Sequence, residues 1–281
     1  MMLSRGRGVF VLCALLVCSA AAPAARGDAL SGTLVFQFTN DDQIWDFGGF
    51  SDCDTVTEDV PGVPDPVVVT ICIVLDMTPD ARGNYEGTGQ VVFTQDVQGT
   101  LDGPAKGKLR GRDVGPGASD RKDKADFKLK AEGNLNFGVL PVPTKVLLSC
   151  KGLITAGIYD TVCDVTVKLE GYGSAKAKNV PYLDHAEGGD WSTTINVDLV
   201  DETHYSGVAT DSLGYSYIVT GKYDANHDDS SLLLKGLKDG NSNGAKIQLK
   251  DLVSNAPSTA AGEASYNVQG YRGRADAVTP E

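Results

Sequence analysis

Ala125-Asp126-Phe127-Lys128-Leu129-Lys130-Ala131-Glu132 puts an apolar residue at every odd position and a charged one at every even position. Side chains alternate between the faces of an extended chain, so this stretch reads as a β-strand with one face buried and the other wet. Val165, Val167 and Leu169 repeat the pattern against Thr166, Lys168 and Glu170, as do Ala245, Ile247 and Leu249 against Lys246, Gln248 and Lys250. Tyr215, Tyr217 and Val219 do so against Ser216, Ile218 and Thr220. No long stretch shows helical spacing, and turn clusters drawn from 33 glycines and 12 prolines separate the runs. The chain is therefore expected to be all-β: an antiparallel β-meander, internally duplicated, forming a large β-sandwich or a closed barrel.

The duplication is read from anchors in the same order. Tyr85-Glu86-Gly87 answers Tyr205-Ser206-Gly207, and Ala125, Leu129 and Lys130 answer Ala245, Leu249 and Lys250. Between them, Gly99 and Asp102 answer Gly221 and Asp224, and Leu109-Arg110-Gly111 answers Leu234-Lys235-Gly236. Thr70 to Leu75 matches Thr194 to Leu199, and Gly171-Tyr172 matches Gly270-Tyr271. Repeat units at residues 67–180 and 191–278 follow, packed as one domain. Ahead of them, residues 28–66 hold an apolar strand at Thr33 to Phe38, an aromatic stretch from Ile44 to Phe50 without a clean period, and a loop at Pro61, Pro64 and Pro66.

Residues 1–27 carry the layout of a secretory signal peptide: Arg5 and Arg7, an apolar run from Val9 to Val17, then small residues. Cys18 invites lipidation, but Val17 before it is larger than lipid attachment requires. Removing that leader takes away three arginines and no acid, which carries the formal charge from −12 to −15. Such acidity disfavours nucleic acid and anionic membranes as partners. A secreted, periplasmic or cell-envelope location without membrane insertion is expected. Four cysteines remain, and in an exported chain they imply two disulfides. Cys150 and Cys163 flank a turn at Thr155-Ala156-Gly157, and Cys53 and Cys72 flank Pro61-Gly62-Val63-Pro64. Local bonds Cys150–Cys163 and Cys53–Cys72 are expected, the second on the outside of the sheet.

The sharpest ligand motif is Asp239-Gly240-Asn241-Ser242-Asn243-Gly244, in which Asp239, Asn241 and Asn243 offer oxygens at alternate positions for calcium. It resembles the first half of an EF-hand loop, but Lys250 stands where the closing glutamate belongs, and the same residues suit a hairpin turn. Calcium is the one cofactor the sequence suggests. His185, His204 and His227 sit beside no nucleophile motif, so no catalytic residue is assigned. Lys106, Lys108, Lys122, Lys124, Lys128 and Lys130 form a basic region expected to lie on a solvated sheet face. The function expected is that of a secreted or periplasmic, non-catalytic β protein that binds or supports. An outer-membrane β-barrel and an exported hydrolase are the alternatives.

Overall fold

The computed structural model describes residues 29–39, 44–46, 49–59, 65–112, 123–138, 140–155, 158–185, 187–189, 191–238, 240–256 and 259–280. Its strands run β1 (Gly32–Thr39), β2 (Ile44–Asp46), β3 (Gly49–Glu58), β4 (Val67–Pro79), β5 (Asn84–Gln95), β6 (Gly99–Arg112), β7 (Asp123–Asn136), β8 (Pro141–Thr155) and β9 (Ile158–Leu169). They continue as β10 (Gly173–His185), β11 (Glu187–Gly189), β12 (Trp191–Leu199), β13 (His204–Asp211), β14 (Ser216–Asp224), β15 (Asp229–Gly236), β16 (Lys246–Ala256), β17 (Thr259–Val268) and β18 (Tyr271–Val278). One 3-10 turn, Gly240–Ser242, is the only helical element among the described residues.

Two eight-stranded series result, all antiparallel within themselves. β12 to β18 form a meander that β1 closes into a barrel by pairing with β12 on one side and β18 on the other. β3 to β10 form a second meander, whose outer strands β3 and β10 have no ladder with each other among the described residues. Their ends converge all the same, because β2, just before β3, pairs with β11, just after β10. β3 and the described side chains of β10 are exposed, or nearly so, on both faces.

The leading hairpins of the two series share a register. Met77 faces Gly87 and Val197 faces Gly207, so the anchors Tyr85-Glu86-Gly87 and Tyr205-Ser206-Gly207 occupy equivalent places. Gly171-Tyr172 and Gly270-Tyr271 likewise both fall at the turn into the last strand of a series, Tyr172 just before β10 and Tyr271 as the first residue of β18. The middle anchors fall out of step by one strand. Ala125 to Lys130 lies on β7, two strands after β5, whereas Leu249 and Lys250 lie on β16, three strands after β13. Period-two alternation looks alike on every strand, so residue matching alone does not distinguish neighbours.

Alternation is complete on β7, whose odd-numbered residues from Asp123 to Ala131 are all buried and whose even-numbered ones are exposed. The disulfide Cys150–Cys163 joins directly paired residues of β8 and β9 on the inner face, where both are buried. Cys53–Cys72 joins paired residues of β3 and β4 on the outer side. Each closes a short loop, a constraint worth about 2–4 kcal/mol through the unfolded chain.

The barrel is filled by side chains, with Phe36, Ile195, Val197, Tyr217, Val219, Leu234, Ile247 and Leu249 among those buried inside. Its outer positions are mixed: Thr194, Asn196, Lys235, Gln248, Glu263 and Arg274 are polar, and Val35, Val208, Ile218 and Val278 are exposed apolar residues. A membrane barrel turns the opposite way, apolar band outward and polar interior. No helix among the described residues is long and apolar enough to cross a membrane.

One carboxylate lies inside this barrel. Asp211 accepts hydrogen bonds from the Tyr217 hydroxyl at 2.5 Å and from the backbone N–H groups of Tyr215 at 2.8 Å and Leu213 at 3.1 Å. Burial pushes its pKa above the ordinary carboxylate range, opposed by the hydrogen bond from Tyr217. Protonation therefore favours the fold: the contribution is complete below the ordinary carboxylate pKa and is lost as pH rises through the raised one. Asp211→Asn, compared with the native chain by thermal melting, should gain relative stability as pH is taken from acid to neutral. A relative loss over that interval would contradict this account.

Gly87 and Gly207 supply a second test. A Cβ on Gly87 would lie 2.0 Å from the Asp76 carbonyl oxygen, and one on Gly207 would lie 2.0 Å from that of Asn196. Both contacts are with partner-strand backbone, which cannot step aside. Gly87→Ala and Gly207→Ala should each destabilise by about 1–3 kcal/mol in denaturant titrations. Tolerance of one with damage from the other would show that the hairpins are not equivalent.

Candidate functional site

Strand register brings together lysines that are far apart in sequence. On the outer face of the second meander, Lys106 of β6 lies opposite Lys128 of β7, Lys128 opposite Ser149 of β8, and Ser149 opposite Asp164 of β9. One step along, Lys130 lies opposite Leu147, and Leu147 opposite Thr166. With Pro104 these residues line a groove of about 450 Å³. Neighbouring strands are spaced ~4.8 Å apart and the two rows ~7 Å, the geometry of any pleated sheet.

Small inner residues on β6 let the sheet curve closely beneath this face. A Cβ on Gly103 would come within 1.7 Å of the Lys130 carbonyl oxygen, so only glycine permits the approach of β6 and β7 there. Pro104 follows it and brings no N–H to the ladder.

The lysines are not equivalent. Lys106 pairs with Glu86 at 3.0 Å, and Lys130 pairs with Glu132 at 2.9 Å. Glu132 also holds Lys145 at 3.2 Å, and hydrogen bonds from Lys130 and then Lys145 keep its carboxyl below the usual range. Lys108 turns inward and donates to the Arg82 carbonyl at 2.7 Å and to Asn84 Oδ1. Burial lowers its pKa, with Asp80 opposing. Lys128 has no ion pair among the described residues. It lies opposite Lys106 across the ladder, and along its own strand it stands between Asp126 and Lys130, so that two like charges and one opposite charge are its neighbours on this face. Lys122 lies outside the described residues.

The surrounding charge is polarised. β3, β4 and β5 carry Asp52, Asp54, Glu58, Asp76 and Glu86 and no lysine or arginine. β6 to β10 hold close to half of the chain's 25 lysines and arginines. A second surface concavity, of about 530 Å³ on the barrel, is lined by Lys222 and Lys250 together with Asp224, Asp229 and Asp251.

The other sequence candidates have structural neighbours of their own. Asn241 and Asn243 lie in the turn between β15 and β16, and Asp239 lies outside the described residues. The Asn241 carbonyl accepts from the Ala81 N–H at 2.8 Å, and Asn243 Oδ1 accepts from the Arg82 guanidinium at 3.3 Å. Arg82 thus brings a cation to an oxygen that a calcium ion would need. No group of three or more His, Cys, Asp or Glu side chains able to hold a metal occurs among the described residues.

His204 Nδ1 lies 2.9 Å from Asp201, whose carboxyl is drawn down to about 2 by the Thr203 N–H and then by His204. His227 Nδ1 lies 2.8 Å from Asp224, a hydrogen bond that raises the pKa of the ring. Both pairs occupy exposed turns, and the His185 side chain lies outside the described residues. No protein-family model matches the chain, and no curated protein or solved structure is significantly similar to it.

Proposed function

We propose that this chain is an exported, non-catalytic binding protein that takes anionic ligands into the lysine-rimmed groove across β6 to β9. The observation carrying this reading is Lys128, which has no ion pair among the described residues and lies beside Lys106 and Lys130 in a groove of about 450 Å³. A ligand carrying negative charge offsets the repulsion among these three lysines. Two disulfides are compatible with an oxidising, extracellular setting. The apolar, filled interior of the barrel and the charged Lys235, Glu263 and Arg274 on its exterior favour this reading over a lipid-embedded one.

The acidity of the whole molecule makes a direct test. A protein with a sequence pI near 4.7 should flow past a cation exchanger at neutral pH unless a basic patch is presented separately from the bulk charge. Retention on a sulfonate resin at low salt is expected, along with its loss in Lys128→Glu and Lys130→Glu. Both side chains are exposed, so circular dichroism should be unchanged. Flow-through of the native protein, or retention indifferent to both substitutions, would remove the basis of the proposal.

A further inference from the structure

We infer that the ligand class of this groove is an acidic oligosaccharide, a chain of sugars carrying carboxylates, with a ring lying over Leu147. The inference rests on the reading of the groove as an anion site and adds the chemistry between the charges. Lys106, Lys128 and Lys130 are laid out along a ladder and a strand and do not converge on one point. Spacings of ~5 Å and ~7 Å between sheet positions suit successive charges on an oligomer better than a single small anion, which needs donors aimed at one centre.

The groove also has an apolar floor. Leu147 is 37% exposed, and Lys130 and Thr166 flank it across the ladders. An aliphatic surface of this kind accepts the C–H face of a pyranose ring. Ser149 and Thr166 provide hydroxyls beside it, and Asp164, fixed by the Asn179 N–H at 3.2 Å, provides an acceptor for sugar hydroxyls.

Nucleic acid fits less well. The lining contains no aromatic side chain, so bases find no stacking platform. Along a duplex, the remaining surface of a chain with net charge −12 would be repelled.

Calorimetric titration of the intact protein decides the matter, with oligogalacturonate, the neutral galactose oligomer of equal length, oligothymidylate and inorganic phosphate as probes. Binding of oligogalacturonate is expected without binding of the neutral oligomer. Lys128→Glu should weaken it roughly tenfold. Leu147→Asn should weaken it several-fold while leaving retention on the sulfonate resin unchanged, because the charges remain. Tighter binding of oligothymidylate or phosphate than of oligogalacturonate would overturn the sugar assignment and leave the anion groove standing, as would full affinity in Leu147→Asn. No binding of any probe, with no retention on the resin, would overturn both.

Discussion

The arrangement of the molecule depends on one turn wedged between its two strand series. Asp80 folds the link between β4 and β5 by accepting from the Arg82 and Asn84 N–H groups and from the Asn84 amide. The fully buried Ala81 then donates to the Asn241 carbonyl at the end of the barrel and accepts from the Gly270 N–H. Gly83 accepts from Leu109 of β6, at a φ of +73° that glycine tolerates. A Cβ on it would meet the Leu109 carbonyl at 2.5 Å and Gly270 Cα at 2.9 Å, so three backbones meet here with no room for a side chain. Beneath the turn, Gln269 donates to Tyr85 and accepts from Tyr215, which satisfies polar groups that the junction buries. The short parallel pairing of β18 with β6 is the ladder that such a contact allows.

How much of this was legible in the sequence follows from how strongly each strand is half buried. β7 and β16 have one dry face and were readable from alternation alone. The β8–β9 hairpin was readable as well, because two cysteines equidistant from a glycine turn fix its register, and the structure pairs Cys150 with Cys163. β3 was missed. Gly49–Glu58 contains Ser, Thr, Asp and Glu with few apolar residues, and as an outer strand exposed on both faces it has no pattern to display. The aromatic stretch before it falls largely outside the described side chains. The barrel closure was also invisible, since pairing of Gly32 with Val197 leaves no mark at either position.

For the candidate groove, the lysine-rich stretch was visible but its neighbours were not. Lys106, Lys128 and Lys130 stand out within a short window, whereas Leu147, Ser149, Asp164 and Thr166 are ordinary residues on later strands. Only the ladders of β7 with β8 and of β8 with β9 bring them beside the lysines. Sequence also gave no hint that Lys108 would be withdrawn to brace the Arg82 turn. In the Asn241 to Gly244 turn, oxygen spacing suggests a cation, and Asn243 Oδ1 accepts from the Arg82 guanidinium.

The placement of β1 has a consequence for the order of assembly. Each strand of the β3 to β10 meander pairs with its sequence neighbours and can form as the chain emerges, because short loops cost little entropy to close. β1 emerges earlier than any other described strand, yet its partners β12 and β18 lie near the far end of the chain. Its contacts have the highest sequence separation in the molecule, the kind that slow folding most. Until β18 is made, Leu34, Phe36 and Phe38 have no barrel interior to enter. The strand made first is thus placed last, and the chain spends its synthesis with that apolar edge waiting for a partner.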